Sequence, residues 1–270
     1  MSKFHTIGSD NISQLFSVKD KVVLVVGAGG LAGPVIRAYA HNGARVAIAT
    51  RNGSKAKAIA DELSSEGYEA RGYELDVRTL ANCEAVAEEV ERDFGRIDVL
   101  LYTSAVAIIA DPVYPDPDDL DESLRVNFSG GVRIAQAVAR IMRKNGFGRI
   151  IFINSTDCDS ISCIDGIGYA ASKAALKSAT QTLGINLAGT GVTVNGIAPT
   201  WIWTPMMDQR PADYMVQAKA AIPMGRVSYP EDYFGIIFFL SSEASAFATG
   251  QTYYVDGGFS ISHVFKYKND

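Results

Sequence analysis

Short apolar runs along the chain alternate with longer stretches in which apolar positions recur at helical spacing. Lys21–Val26, Arg45–Ala49, a segment ending near Leu75, Ile97–Tyr102, Gly148–Asn154, Val192–Ile197 and Gln251–Val255 read as strands. Residues 31–42, 54–66, 79–94, roughly 118–143, 167–189 and 230–242 read as helices. The strands are apolar almost throughout, as expected when both faces of a sheet are covered. Strands alternating with helices predict parallel βαβ units with right-handed crossovers. The expected class is α/β, a doubly wound sheet of about seven mostly parallel strands.

A length of 270 residues with 47% hydrophobic content suits one sizeable core. The expected organisation is a single domain over 1–270, with 1–18 as an N-terminal extension. The tract 199–223, which holds Trp201, Trp203, Met206 and Met207, is expected to form a lid over a pocket. A net charge of −5 argues against nucleic acid or an anionic membrane surface as partner. No apolar run approaches the roughly 20 residues of a membrane span, and the N-terminus lacks an apolar signal region. Cys83, Cys158 and Cys163 have no CxxC spacing, which argues against a disulfide framework or a metal site and for a cytoplasmic location. His5, His41 and His263 lie near the ends or on a surface-like helix and suggest no histidine-based site.

The segment 22–33, VVLVVGAGGLAG, runs from strand through a glycine turn into a helix. Gly27 permits the sharp turn, while Gly29 and Gly30 let backbone approach a pyrophosphate at the helix N-terminus. This is the dinucleotide signature of a Rossmann-type fold. After the second strand, residues 49–52 read Ala-Thr-Arg-Asn, with no carboxylate to accept from an adenosine ribose. Arg51 suits a 2′-phosphate, which favours NADP(H) over NAD(H). The alternative is a solvated surface arginine.

In GYAASKAAL (168–176), Tyr169 and Lys173 stand four residues apart and share one helix face. An ammonium beside a phenol is expected to lower the phenol's pKa from near 10. By spacing alone, the ordinary reading, a tyrosine and a surface lysine, is preferred. Upstream, the strand in GRIIFINST (148–156) ends on Ser155 and Thr156, at the sheet edge where α/β enzymes hold ligands.

Taken together, these features resemble the short-chain dehydrogenase/reductase family over nearly the whole chain. GAGGLAG resembles its glycine turn, which brings in Leu31. ELDV (74–77) places Asp76 and Val77 where the family contacts adenine. RVNFSG (125–130) places Asn127 where it holds a proton-relay water, and Ser155, Tyr169 and Lys173 complete the tetrad. In NGIAPTWIWTPM (195–206), the resemblance puts Pro199, Thr200, Ile202 and Thr204 around the nicotinamide. GQTYYVDGG (250–258) is similar to the C-terminal signature.

The resemblance implies hydride transfer between nicotinamide and a carbonyl or secondary alcohol of a small substrate. Tyr169 would give the proton, Ser155 would orient the oxygen, and Lys173 would lower the phenol pKa and fix the ribose. It also implies a homo-oligomer, dimer or tetramer, using the helices around 118–143 and 167–189. Several positions depart from the family. The glycine turn is one residue short, with Ala32 at its end. Tyr102-Thr103-Ser104-Ala105 replaces Asn-Asn-Ala-Gly, so Thr103 and Ser104 must meet the adenosine ribose differently. Thr200 replaces a glycine, and the gap from Ser155 to Tyr169 is one residue long. The altered ribose segment leaves a non-catalytic nicotinamide sensor as an alternative, and a cofactor-assisted epimerase is another. Asp157, Asp159 and Asp165 suit hydroxyls of a polyol or a merely solvated loop. Trp201 and Trp203 suit a ring substrate or packing.

Overall fold

The computed structural model describes residues 12–108, 110–114, 116–162, 165–204 and 212–262. Cys163, His5, His263, Met206 and Met207 lie outside the described residues. A short helix, α1 (Ile12–Leu15), leads to β1 (Val22–Val26), α2 (Ala32–His41), β2 (Arg45–Thr50), α3 (Gly53–Ser65), β3 (Ala70–Glu74), α4 (Leu80–Phe94) and β4 (Val99–Tyr102). Then come α5 (Pro117–Ser123), α6 (Gly131–Asn145), β5 (Gly148–Ile153), α7 (Ile167–Leu187), β6 (Val192–Pro199), α8 (Ala212–Ala221), α9 (Phe234–Ser241) and β7 (Thr252–Val255). The seven strands form one sheet in the order β3-β2-β1-β4-β5-β6-β7. Every pairing between them is parallel.

Side-chain alternation divides the sheet's residues between two cores. Val22, Leu24 and Val26 face one side with Leu100, Tyr102, Ile150 and Phe152, under α4, α6 and α7. Val23, Val25, Ile48 and Ile151 face the other, under α2, α3 and α9. Because β1 and β4 are neighbours, the strand order reverses between them, and this opens a crevice at their carboxyl ends. Val18 is buried in the second core, and the Phe16 ring packs 6.3 Å from Phe239. The part of the expected N-terminal extension next to β1 therefore belongs to the core.

The helix expected over roughly 118–143 is interrupted. A widened π-helical turn, Leu124–Gly130, separates α5 from α6. Turns of this kind insert one residue and cluster at functional sites; this one carries Asn127. Periodicity alone could not show it, since the apolar pattern continues on both sides. The 230–242 helix likewise begins as a tighter turn, Pro230–Tyr233. No helix among the described residues is long and apolar enough to cross a membrane.

Candidate active site

The crevice between β1 and β4 opens on the glycine turn. Gly27 adopts φ +111° and Gly30 φ +51°, backbone that side-chain-bearing residues rarely take. A Cβ on Gly27 would lie 2.3 Å from Thr103 Oγ1, whereas one on Gly29 would meet nothing within 4 Å. The turn is thus pressed against the end of β4 on one side and open on the other. Leu31 precedes α2 without a side-chain capping bond; Ala32 N–H is bonded to the Gly29 carbonyl at 2.9 Å and Pro34 carries none, so in the first turn it is Gly33 N–H that can meet an anion. The open side borders a cavity of about 470 Å³ lined by residues 27–31, Arg51, Asp76, Val77, Arg78, residues 103–106 and Ile153. A backbone cradle at a helix N-terminus, with no side chain filling it, fits a dinucleotide pyrophosphate.

At the far end of this cavity the exposed Arg51 is joined by a second cation that sequence reasoning missed. Arg78 Nη2 lies 2.6 Å from Asp76 Oδ2, and Arg78 Nε adds bonds of 2.9 and 3.0 Å to the same carboxylate. Arg78, and more weakly Arg51, hold the Asp76 carboxyl below the usual carboxylate range. The available signal was a basic residue two positions beyond Asp76, on the same strand exit. The altered segment also acquires a physical role. Tyr102 donates to the Val126 carbonyl at 2.6 Å, and Thr103 Oγ1 donates to the Val26 carbonyl at 2.9 Å, tying β4 to its neighbours.

The four tetrad positions converge from three elements. Ser155 follows β5 and caps a tight turn, Thr156–Cys158. Tyr169 and Lys173 sit on the first turns of α7. Asn127 Oδ1 accepts from Val106 N–H at 2.7 Å, and its Nδ2 donates to the Val106 carbonyl and to Ser172 Oγ, each at 2.9 Å. Ser172 in turn donates to the Tyr169 carbonyl at 2.7 Å. The π-helical turn therefore fixes both α7 and the loop after β4, and both Asn127 amide hydrogens are committed.

One expectation is corrected. Lys173 does not lower the Tyr169 pKa. The lysine is 3% exposed; its ammonium donates to the Ile153 carbonyl at 2.8 Å and stands 5.4 Å from the Tyr169 ring centroid. Burial pushes the phenol up to about 12, with a hydrogen bond from Ser155 acting to lower it and Asp157 and Cys158 acting to raise it. Burial pulls Lys173 down to about 8. Both side chains are thus held toward their neutral forms.

The segment after β6 is only partly as expected. Thr204 lies beside the glycine turn, its methyl 3.5 Å from where a Gly30 Cβ would sit. Pro199 is buried at the end of β6, and Ile202 forms a bridge with Ser228. Thr200 lines a second cavity of about 390 Å³ with Tyr254, Asp256 and Arg226. The two tryptophans pack rather than stand open. Trp201 and Trp203 lie against Ala218, Ile222 and Val227, and Trp201 Nε1 donates to Tyr214 at 2.8 Å. Of the three acidic residues near Ser155, Asp159 pairs with Lys177 and receives the Tyr254 hydroxyl, Asp165 is exposed, and Asp157 is buried. Burial raises the Cys158 thiol, so it is no activated nucleophile.

Residues 27–260 match the family described as enoyl-(acyl carrier protein) reductase. D-threitol dehydrogenase of Mycolicibacterium smegmatis is 34% identical over 251 residues, 91% of this chain and 95% of that protein. The 3-oxoacyl-(acyl-carrier-protein) reductase FabG of Escherichia coli is 30% identical over 239 residues, covering 88% and 96% respectively. Among solved structures, a gluconate 5-dehydrogenase from Burkholderia cenocepacia in complex with NADP and tartrate superposes with a TM-score of 0.87 at 32% identity, covering 92% of this chain and 98% of that one. The chain therefore belongs to the short-chain dehydrogenase/reductase family, and it is an NAD(P)-dependent oxidoreductase acting on CH–OH or C=O groups.

Proposed function

We propose that this protein is an NADP(H)-preferring dehydrogenase or reductase for a secondary alcohol or carbonyl of a small polyol, sugar-derived or cyclic substrate. The observation that carries the reading is the bond from Lys173 to Ile153, because Ile153 also lines the dinucleotide cavity. The phenol–amine pair and the glycine turn therefore serve one site. Residues 27–31 and Lys173 would hold the cofactor, and Arg51 with Arg78 would meet a 2′-phosphate at its far end. The bound nicotinamide supplies or accepts hydride at the substrate carbon. Tyr169 holds the proton exchanged at the reacting oxygen, and Ser155 orients that oxygen beside it. Asn127 keeps α7, and hence the phenol, in place. Proton exchange by a positioned side chain contributes about 10²–10⁴ in rate.

The substrate class is supported by the D-threitol dehydrogenase relative and by the gluconate 5-dehydrogenase that carries NADP and tartrate. The tract 199–223 covers the substrate, and copies of the chain assemble as a dimer or tetramer. The test is a panel of polyols, sugar acids and their keto forms, offered with each nicotinamide and followed by nicotinamide absorbance. Turnover of a polyol or its ketone, faster with NADP(H), is expected. Cofactor binding without turnover across the panel would overturn the reading.

A further inference from the structure

The segment from Tyr102 to Val106 is bound at both of its ends to two consecutive residues of the π-helical turn. At one end, the Tyr102 hydroxyl donates to the Val126 carbonyl at 2.6 Å. At the other, Val106 N–H donates to Asn127 Oδ1 at 2.7 Å, and Asn127 Nδ2 donates to the Val106 carbonyl at 2.9 Å. The residues between these anchors, and Val126 itself, line the dinucleotide cavity. Tyr102 stands where the family pattern has an asparagine, a shorter side chain without a phenol.

The helix is cut to receive this tyrosine, which is 1% exposed. A Cβ on Gly130 would stand 3.0 Å from the Tyr102 hydroxyl and 2.6 Å from Val77 Cγ2, and one on Gly131 would stand 3.0 Å from Tyr102 Cε1. Glycine inside a helix is unfavourable, because it gives up more backbone freedom than any other residue. Two in succession leave room for one phenol. The ring lies edge-on to Phe152, 6.3 Å between centroids, and this fixes the aim of the hydroxyl. A side chain that inserts a bond into the helical ladder is one cause of a distorted turn. The carbonyl engaged here belongs to the residue directly before Asn127.

We propose that Tyr102 is a positioning residue for the reaction: by anchoring the π-helical turn at Val126, it sets Asn127 so that the cavity wall 103–106 and the first turn of α7 keep one fixed relation. From Asn127 the path to α7 is continuous in hydrogen bonds. Asn127 Nδ2 donates to Ser172 Oγ at 2.9 Å, and Ser172 donates to the Tyr169 carbonyl at 2.7 Å. The role rests on Tyr169 being the proton-exchanging group. That phenol must meet a substrate held against the cofactor, and a misplacement of about 1 Å costs about 10²-fold in rate.

The test is Tyr102→Phe in the full chain, which keeps the ring in its slot and removes only the bond to Val126. Hydrogen exchange at single backbone amides of 15N-labelled protein needs no substrate. Val106 N–H should exchange at least about tenfold faster in the variant. Thr103 N–H, bonded to the Val26 carbonyl at 2.9 Å on the neighbouring strand, should keep its wild-type rate. Acceleration of both amides alike, or of neither, would reduce Tyr102 to a core side chain. D-threitol and gluconate serve as probe substrates for turnover. Well below the melting temperature, kcat should fall about tenfold while KM for the probe stays within about threefold. The effect should also vanish without Asn127, so Tyr102→Phe/Asn127→Ala should be no slower than Asn127→Ala alone. An unmoved kcat, a loss carried by KM, or losses that multiply in the double variant would overturn the proposal. If the wild type turns over neither probe, the polyol assignment fails, and the two exchange rates still decide the role of Tyr102.

Discussion

Lys173 donates its ammonium to the carbonyl oxygen of Ile153 at 2.8 Å, inside the protein and one helical turn from Tyr169. A buried lysine with a single partner destabilises the fold. Its pKa falls from 10.5 to about 8, so between those values the unfolded chain binds more protons than the folded one. Stability should therefore rise from about pH 8 toward 10.5, and the penalty is fully present below 8. A fall of this size corresponds to about 3 kcal/mol. Lys173→Met removes that penalty but leaves the Ile153 carbonyl unpaired, at about 1–3 kcal/mol. The direction of the pH dependence decides the matter. The variant's stability relative to wild type, from denaturant unfolding, should decline between about pH 8 and 10.5, while its activity is lost. A difference independent of pH would refute the buried ammonium.

Tyr169→Phe removes the proton-exchanging oxygen and leaves the ring. Turnover should fall by about 10²–10⁴ while cofactor affinity, measured by fluorescence titration, stays within about threefold. Retained turnover would mean that another group handles the proton.

Arg51 and Arg78 define the far end of the cavity. Arg51→Ala should cut the preference for NADPH over NADH in kcat/KM by about tenfold or more, near 1.4 kcal/mol. Arg78→Ala should lower the same preference, because it removes a cation and frees the Asp76 carboxylate to repel the phosphate. If Arg51→Ala leaves the preference unchanged, the guanidinium is only a surface charge.

Gly27→Ala places a methyl group 2.3 Å from Thr103 Oγ1 at φ +111°. About 1–3 kcal/mol of backbone strain, together with the displaced Thr103, should lower the melting temperature and abolish cofactor binding. Gly33→Ala meets nothing within 4 Å and should be tolerated. Equal behaviour of the two variants would contradict the geometry of the turn.

Most of the fold was legible because it rests on local rules. The continuous apolar run of β1, the glycine turn after it and the i, i+4 pair on α7 each follow from residues close in sequence. What escaped depends on pairings between distant or unremarked positions. Asn127 reaches Val106 across 21 residues through a turn that the helical period conceals. Arg78 gains meaning only when folding sets it beside the same cavity as Arg51. The pKa of Tyr169 was misjudged because neighbourhood along the helix suggested an ammonium within reach, whereas the folded chain offers Lys173 a carbonyl instead.

The protein has only two tryptophans, Trp201 and Trp203, and both belong to the segment that leaves β6. Its intrinsic indole emission is therefore a built-in, label-free reporter of that segment alone. A change in wavelength or quenching when a ligand is added marks a rearrangement around the Trp201–Tyr214 bond, read without altering a single residue.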